Sequence, residues 1–317
     1  MLAFQTLLLN VIIFALLIIP GYILGKQKLL KQSSLTCFAN VLMYVGMPFL
    51  VFATLLKLNF RTVSVSSILI SVGASIFAVL VTVAIGKLCF RGESGQSRVC
   101  VFCSSFSNCG FMGIPLSQIL FPEHPEITLY VSLFNVGCTC LLLTMGTELL
   151  SGEKPKQMFK SLCCSPILIS VLLGLAASAM SLCEKLPCVI TYAEYLANLT
   201  TPLSMLVLGV ELSLISLTEL FKSPKAYAVY AFKLILCPVL TVGVFGGLLL
   251  LFDLPDSIEL IVAIFLATSV PTAASAPALA KKYGVDGKYA GILTLGTTVW
   301  SVFTLPLLYF ALSAIIR

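Results

Sequence analysis

The chain has 317 residues, of which 59% are hydrophobic and only 10% are charged, and its formal net charge at pH 7 is +6. Together with a mean hydropathy of +1.08, this composition excludes a water-soluble globular domain and indicates an integral membrane protein. Because the chain lacks the ten-residue segments of alternating polarity that are typical of outer-membrane barrels, we expect an all-α fold.

Ten apolar windows follow one another along the chain, each close to the roughly 20 residues that a helix needs to cross a bilayer. They are residues 3–25, 36–56, 65–90, 99–121, 126–149, 162–182, 188–216, 226–252, 256–280 and 288–313. The first window lacks the basic start and the small-residue cleavage site of a signal peptide, so it counts as a span. The sequence therefore predicts ten transmembrane helices, which we number as spans 1 to 10.

The distribution of lysine and arginine over the loops predicts the orientation of the spans. Most of them fall in the odd-numbered loops. These are Lys26, Lys28, Lys31, Lys87, Arg91, Arg98, Lys154, Lys156, Lys160, Lys222, Lys225, Lys281, Lys282 and Lys288. The even-numbered loops and the C-terminus hold only Lys57, Arg61, Lys185 and Arg317. Because basic loops stay in the cytoplasm, we expect a multi-pass protein of the cell membrane with both termini outside the cytoplasm. The positive charge is then a topology signal, and nucleic acid is not an expected partner.

Short matches between the two halves of the chain indicate an internal repeat. FNVGCT (134–139) in span 5 corresponds to LTLGTT (293–298) in span 10. Each half contains five spans, an odd number, so the two halves have opposite topology. We therefore expect a first five-helix repeat at 1–150, a cytoplasmic linker at 151–160 and a second, inverted five-helix repeat at 161–317.

Span 4 contains residues that break helices. Asn108, Gly110 and Pro115 lie inside the apolar run 104–121. A broken helix in hydrocarbon leaves backbone N–H and C=O groups without partners, and this is costly unless the break lies beside a cavity or tightly packed protein. For span 4 taken alone, a plain proline kink is the simpler explanation.

Span 9 repeats this interruption at the corresponding place in the second half. It contains Pro271 and Pro277, with Ser269 and Ser275 beside them. Two matched breaks in inverted halves favour a binding site over a pair of kinks, because the second parts of both spans then begin near the middle of the membrane. Helix N-termini carry partial positive charge, so we expect them to converge on an anion.

The segment NCGFMGIPL (108–116) resembles the Asn-x-x-x-Met-Gly-Ile-Pro-Leu signature of the auxin efflux carrier family, which includes the plant PIN carriers. PTAASAPALAKKYGV (271–285), FNVG in span 5 and TLP (304–306) are similar to other segments of the family, so the resemblance covers the whole chain. It implies ten helices in two inverted five-helix repeats, with broken helices 4 and 9 crossing at their prolines. It also implies transport of an organic anion such as malate, malonate or auxin. The absence of a long loop between spans 5 and 6 resembles bacterial inner-membrane members.

Two polar residues in other spans are further candidates for binding the anion. Lys233 in span 8 either reaches back to the membrane interface or supplies a positive charge to the substrate or to Glu211. Asn135 in span 5 either donates to the substrate or bonds a neighbouring helix. The predicted substrate-binding residues are therefore Asn108, Gly110, Pro115, Asn135, Lys233, Ser269, Pro271, Ser275 and Pro277.

Other sequence features argue against several classes of function. The Cys100-x-x-Cys103 pair has no second pair and no nearby histidine, so we expect no metal site, and His124 is predicted to be solvated. A phosphate-binding loop with Lys-Ser/Thr is absent, and the spans offer no nucleophile with a base. We expect a secondary carrier, not an enzyme, without a cofactor. Its expected partners are a small organic anion and the lipid bilayer, with a homodimer as a candidate assembly. The alternative is a membrane receptor or assembly factor that keeps the carrier fold without transport.

Overall fold

The computed structural model describes residues 16–30, 32–56, 64–92, 94–152, 166–180, 185–214, 220, 223–252, 254 and 256–316. Within these ranges the chain folds almost entirely into α-helices. They are α1 (Ile18–Lys26), α2 (Gln32–Val41), α3 (Met47–Leu56), α4 (Val65–Cys89), α5 (Gly95–Ser105), α6 (Ile114–Leu120), α7 (Pro125–Leu141), α8 (Thr147–Ser151), α9 (Pro166–Ala179), α10 (Pro187–Ala197), α11 (Thr200–Leu214), α12 (Pro224–Ala231), α13 (Cys237–Leu251), α14 (Ser257–Ser269), α15 (Ala276–Lys282) and α16 (Gly287–Ile316). Most of the predicted linker 151–160 lies outside the described residues.

The described residues contain four single π-helical turns. Leu42–Gly46, Leu142–Gly146 and Phe232–Leu236 each join two helices into a longer rod, and Cys109–Gly113 leads directly into α6. Five of the resulting continuous helices are long and apolar enough to cross a membrane: Ser66–Cys89, Pro125–Ser151, Pro187–Leu214, Pro224–Leu251 and Gly287–Ile315. This confirms the all-α, membrane-spanning class predicted from composition. Helices lie in each of the ten predicted windows, and several of them are shorter than a full crossing.

Local sequence signals explain where several of these helices begin and end. Ser94 caps α5 by accepting a hydrogen bond from the Ser97 backbone N–H at 3.2 Å, as Ser64 does for α4. Proline occupies the first turn of α7, α10 and α12, where its missing N–H costs no helical hydrogen bond. Gly152, with φ of 76°, ends α8 in the left-handed conformation that glycine adopts without strain.

The first of two packing groups, which we call the lateral group, consists of α1, α2, α3, α9, α10 and α11. Its closest contact lies between α1 and α11. A Cβ on Gly21 would lie 2.1 Å from the Leu206 carbonyl oxygen, and one on Gly209 would lie 2.1 Å from that of Ile18. The two backbones touch because both residues are glycine, as is common between membrane helices.

The second group, the crossing group, consists of α4 to α8 and α12 to α16. Gly137 and Gly296, the two glycines that correspond in the matched hexapeptides, have equivalent positions in the crossing group. A Cβ on Gly137 of α7 would lie 2.0 Å from Ser75 Oγ of α4, and one on Gly296 of α16 would lie 2.1 Å from Tyr230 Oη of α12. Each glycine therefore lets the last span of its half pack closely on the span before the broken helix. Both packing groups contain helices from both halves of the chain.

Candidate functional site

Span 4 is interrupted between α5 and the π-helical turn Cys109–Gly113. The helix ends at Ser105, and Phe106 is extended, with φ of −96° and ψ of 120°. The interruption thus lies at residues 106–108, upstream of Pro115. Pro115 occupies the second position of α6, directly after the π-helical turn. The sequence placed the break in the stretch that holds Asn108, Gly110 and Pro115, and the interruption lies at the Asn108 end of that stretch.

Span 9 is interrupted between α14 and α15. The helix ends at Ser269, and Val270 is extended, with ψ of 155°, as expected for a residue that precedes a proline. Pro271 therefore lies inside the interruption, as predicted. Pro277 occupies the second position of α15, and Ser275 immediately precedes that helix without capping it through its side chain. Pro277 begins the second helix and does not lengthen the unwound stretch.

The two interruptions pair with each other as a short antiparallel bridge between Ser107 and Thr272. The Asn108 backbone N–H donates to the Pro271 carbonyl at 2.8 Å, and the Ala273 N–H donates to the Phe106 carbonyl at 2.9 Å. Each broken helix thus satisfies backbone groups that the other leaves open, which is required where no water competes.

Thr272 fixes the second interruption to two neighbouring helices. Its hydroxyl donates to the Cys103 carbonyl of α5 at 2.6 Å, and its backbone N–H donates to Thr297 Oγ1 of α16 at 3.1 Å. Cys103 lies in the last turn of α5, where carbonyls lack helical partners. The Thr272 side chain therefore completes hydrogen bonds that the broken helices need.

Lys233 lies at the same place and is fully buried, with 0% of its surface exposed. Its Nζ donates to Ser107 Oγ at 2.5 Å and to the Thr268 carbonyl at 2.9 Å. Among the described residues no carboxylate forms an ion pair with it, so Glu211 is not its partner. The structure thus excludes the interfacial position that the sequence left open and places the ammonium at the crossing.

Several polar groups around the crossing have no hydrogen-bond partner among the described residues. The Asn135 Nδ2 atom and the hydroxyls of Ser105 and Ser269 are buried without one. Asn108, 5% exposed, has no side-chain hydrogen bond within the described part of the chain. Asn135 belongs to the same place, because a Cβ on Gly110 would lie 3.4 Å from its Oδ1. Buried polar groups are almost always paired, so this cluster suits a polar ligand or water.

The structure therefore brings together six of the nine predicted site residues. They are Asn108, Gly110, Asn135, Lys233, Ser269 and Pro271. Pro115, Ser275 and Pro277 belong instead to the helix starts that follow. Sequence reasoning missed Ser107 and Thr272, although the hydroxyl residues next to Asn108 and Pro271 were a usable signal, since Ser and Thr often bond freed backbone groups in membrane helices.

A separate cluster lies at the starts of α7 and α14. His124, Glu126 and Glu259 bring one potential ligand atom each within 4.8 Å of one another. His124 Nδ1 lies 3.0 Å from Glu126 Oε1, and the His124 side chain is 55% exposed. The solvated position predicted for His124 agrees with this exposure. We assign this cluster no role in the site.

Comparison with known proteins gives a consistent result over nearly the whole chain. The family model described as membrane transport protein (Mem_trans) matches residues 6–309. A relative from Rhizobium meliloti (strain 1021), described as "Putative malonate transporter", is 25% identical over 302 residues, which is 92% of each chain. One from Methanothermobacter thermautotrophicus, described as "Uncharacterized transporter", is 26% identical over 295 residues, 92% of this chain and 93% of the relative. One from Methanocaldococcus jannaschii, also described as an uncharacterized transporter, is 26% identical over 213 residues, 64% of this chain and 68% of the relative.

Proposed function

The chain belongs to the membrane transport protein family, the auxin efflux carrier family that its span 4 motif indicated, and we propose that it is a secondary carrier of a small organic anion. Membership of this family makes it a transport protein and not an enzyme. The identity of the substrate, its site and the mechanism are inferred from the geometry of the crossing.

The observation that carries the proposal is a cluster of unpartnered polar groups beside a buried positive charge. Asn108, Asn135 and Ser269 offer donors without described partners, and the Lys233 ammonium has no described carboxylate partner. A carboxylate would accept hydrogen bonds from these groups and neutralise the ammonium. Since isolated buried charge is unfavourable, an anion fits this site better than a neutral or cationic substrate.

A carboxylate-bearing substrate is the most specific class that these groups support. The Rhizobium meliloti relative carries malonate in its description, and the family resemblance extends the set to malate and auxin-like acids. These compounds share a carboxylate that amide and ammonium donors recognise. We therefore propose malonate, malate and indole-3-acetate as the first candidates.

Alternating access would follow from movement of the crossing group against the lateral group. The two groups meet where α3 contacts α7 and where α11 contacts the Cys109–Gly113 turn. At this boundary a Cβ on Gly110 would lie 2.4 Å from Met47 Cε of α3. The unbranched Met47 side chain can change rotamer easily, so it suits a surface that slides during transport.

The membrane arrangement is part of the same proposal. It comprises ten crossings, inverted repeats at 1–150 and 161–317, both termini outside the cytoplasm and a place in a bacterial inner membrane. The equivalent packing of Gly137 and Gly296 supports the repeat. Single cysteines at Lys156 and Glu123, in a cysteine-depleted background, should label from opposite sides of the membrane. Labelling from one side would remove the inverted topology. A homodimer stays a prediction, which mass measurement of the purified protein would test.

Flux of labelled malonate, malate and indole-3-acetate into proteoliposomes tests the proposed function. We expect saturable uptake of at least one anion and an increase in the melting temperature with the same anion, since a ligand at 100 times its Kd stabilises by about 2.7 kcal/mol. A ligand that stabilises the protein without flux would instead favour a receptor that keeps the carrier fold. No effect on either measurement would reject the proposal for these anions.

A further inference from the structure

The Lys233 ammonium is held by two oxygen atoms of kinds that also bind metal cations. In carriers with broken helices, unwound backbone and the C-terminal ends of half-helices coordinate the coupling cation. Here the corresponding oxygens are the Thr268 carbonyl, near the end of α14, and the Ser107 hydroxyl, in the span 4 interruption. Both are held by Lys233 Nζ.

We propose that Lys233 is a tethered replacement for a coupling cation, so that the carrier binds its anion without Na⁺. The inference rests on the proposed function, because it assigns the source of positive charge at the same site. A fixed ammonium in the cation position supplies that charge in every state of the protein. A monoanion such as indole-3-acetate then forms a neutral loaded site without a second ion, and malonate or malate leaves its second carboxylate charge unpaired by Lys233.

The acceptor atoms explain why a cation belongs at this position. Thr268 lies one residue before the end of α14, where the last carbonyls lack helical partners and the helix dipole is negative. Ser107 belongs to the other broken helix, so one cation joins both interruptions. Removing it would leave a hydroxyl and a carbonyl oxygen facing an empty space, and both are ligand types that hard cations accept.

The local backbone and neighbours explain how a lysine is held there. Lys233 lies in the π-helical turn Phe232–Leu236, and such turns are frequent at functional sites. Three thiols lie within electrostatic range of the ammonium, those of Cys109, Cys138 and Cys237. No described carboxylate neutralises the ammonium, and two of its three donors are used by protein oxygens. One donor and the charge have no described partner, and in this proposal they bind the anion.

The first test compares the wild-type protein in sodium chloride and in choline chloride. Malonate, malate and indole-3-acetate serve as probes, and binding is measured by thermal shift and uptake by flux. We expect affinity and flux to agree within about twofold between the two salts. Binding that needs Na⁺ would overturn this inference and leave the proposed function intact. Absence of binding in both salts would remove the proposed function and this inference with it.

The second test removes the ammonium. In Lys233→Ala we expect affinity in choline to fall at least tenfold, and to be restored at least in part by Na⁺ or by methylammonium, which can enter the vacated space. Lys233→Met fills that space with an apolar chain, so neither cation should restore binding. Lys225→Ala is the matched control, since Lys225 is an exposed lysine on the same rod. A folded Lys233→Ala that retains full affinity, or that no cation rescues, would overturn the proposal.

A variant that removes only the charge of Lys233 keeps the proposal testable if the alanine variant does not fold. Lys233→Gln retains N–H donors for Ser107 and Thr268 but lacks the charge. We expect a folded protein whose anion affinity is reduced at least tenfold in both salts. Wild-type affinity in Lys233→Gln would show that the ammonium only holds the two helices together, and would overturn the proposal.

Discussion

The two helix interruptions look alike in outline and differ in how their polar groups are used. Both follow a helix whose last residue is a serine, Ser105 in one and Ser269 in the other, and neither hydroxyl has a hydrogen-bond partner in the described part of the chain. In the second interruption, Thr272 bonds α5 and α16 through its side chain and its backbone. In the first, Asn108 uses only its backbone, and its amide has no described partner.

This difference teaches that two paired helix breaks need not share one role. The second interruption is fixed by protein partners, so its polar residues stabilise the fold. The first contains the Asn108 side-chain amide, which has no hydrogen-bond partner among the described residues. Gly110, two residues later, has no side chain that could obstruct this amide. We therefore expect substitution of Asn108 in the first interruption to change anion affinity and substitution of Thr272 in the second to change stability.

The largest effect is expected at Asn108. Asn108→Ala removes hydrogen bonds to a charged acceptor, each of which contributes about 1.5–3 kcal/mol, so affinity should fall about tenfold or more. Asn108→Asp is nearly isosteric but, when ionised, repels the carboxylate, so its affinity should be lower still. Isothermal titration with the transported anion measures both. If Asp binds as well as Ala or better while both proteins stay folded, the Asn108 side chain is not part of the site.

A moderate effect is expected from one proline and not from the other. Pro271→Ala lifts the restraint on Val270 and lets α14 extend into the interruption, so flux should fall several-fold. Pro115→Ala changes only the first turn of α6 and should leave flux within about twofold of wild type. Proteoliposome uptake normalised to inserted protein compares them. Equal losses in the two variants would show that Pro115 is as important as Pro271 for the two helix interruptions.

A smaller effect, on stability alone, is expected at Thr272. Thr272→Val keeps the shape but leaves the Cys103 carbonyl without its partner, at a cost on the order of 1 kcal/mol, or a few degrees in melting temperature. Thr241→Val is the control, since the Thr241 hydroxyl bonds Cys237 within its own helix, with the Cys237 carbonyl at 2.9 Å. Anion affinity should stay within about twofold. A large loss of affinity with unchanged stability would place Thr272 in the binding site.

The smallest effect is expected at Gly110. In Gly110→Ala the new methyl group would meet Met47 Cε, which can move, and would lie 3.4 Å from Asn135 Oδ1. We expect affinity to fall about twofold to threefold, and Met47→Ala in the same chain to restore it. Titration of the single and double variants measures this coupling. If the double variant is no better than Gly110→Ala, the methyl group acts on another neighbour.

Much of the fold could be predicted because it depends on local composition. The apolar windows located the helices, and the residues around Asn108 and Pro271 indicated both interruptions. The exact start of α6 could not be predicted, since a proline is equally suited to a break and to a first helical turn. Only the pairing of Asn108 with Pro271 distinguishes the two.

The site was harder to predict because its contacts join residues far apart in sequence. Lys233 could be recognised as an unusual residue in a membrane helix, but its position depends on Ser107 and Thr268, which lie on two other spans. The division into packing groups was equally hidden. The two groups are defined by close contacts such as that between Gly21 and Leu206. No periodic pattern in the sequence indicates such contacts.

The bridge between the two interruptions also has a consequence for how the chain is made. The Asn108 N–H and the Phe106 carbonyl find their partners only at Pro271 and Ala273. At ribosomal speeds of about 5–20 residues per second, the gap between these segments corresponds to roughly 10 to 30 seconds of synthesis. During this interval the first interruption has polar backbone groups that lipid cannot satisfy. A nascent chain that ends before Pro271 should therefore stay with the insertion machinery or be degraded, and release into the bilayer should await the second half.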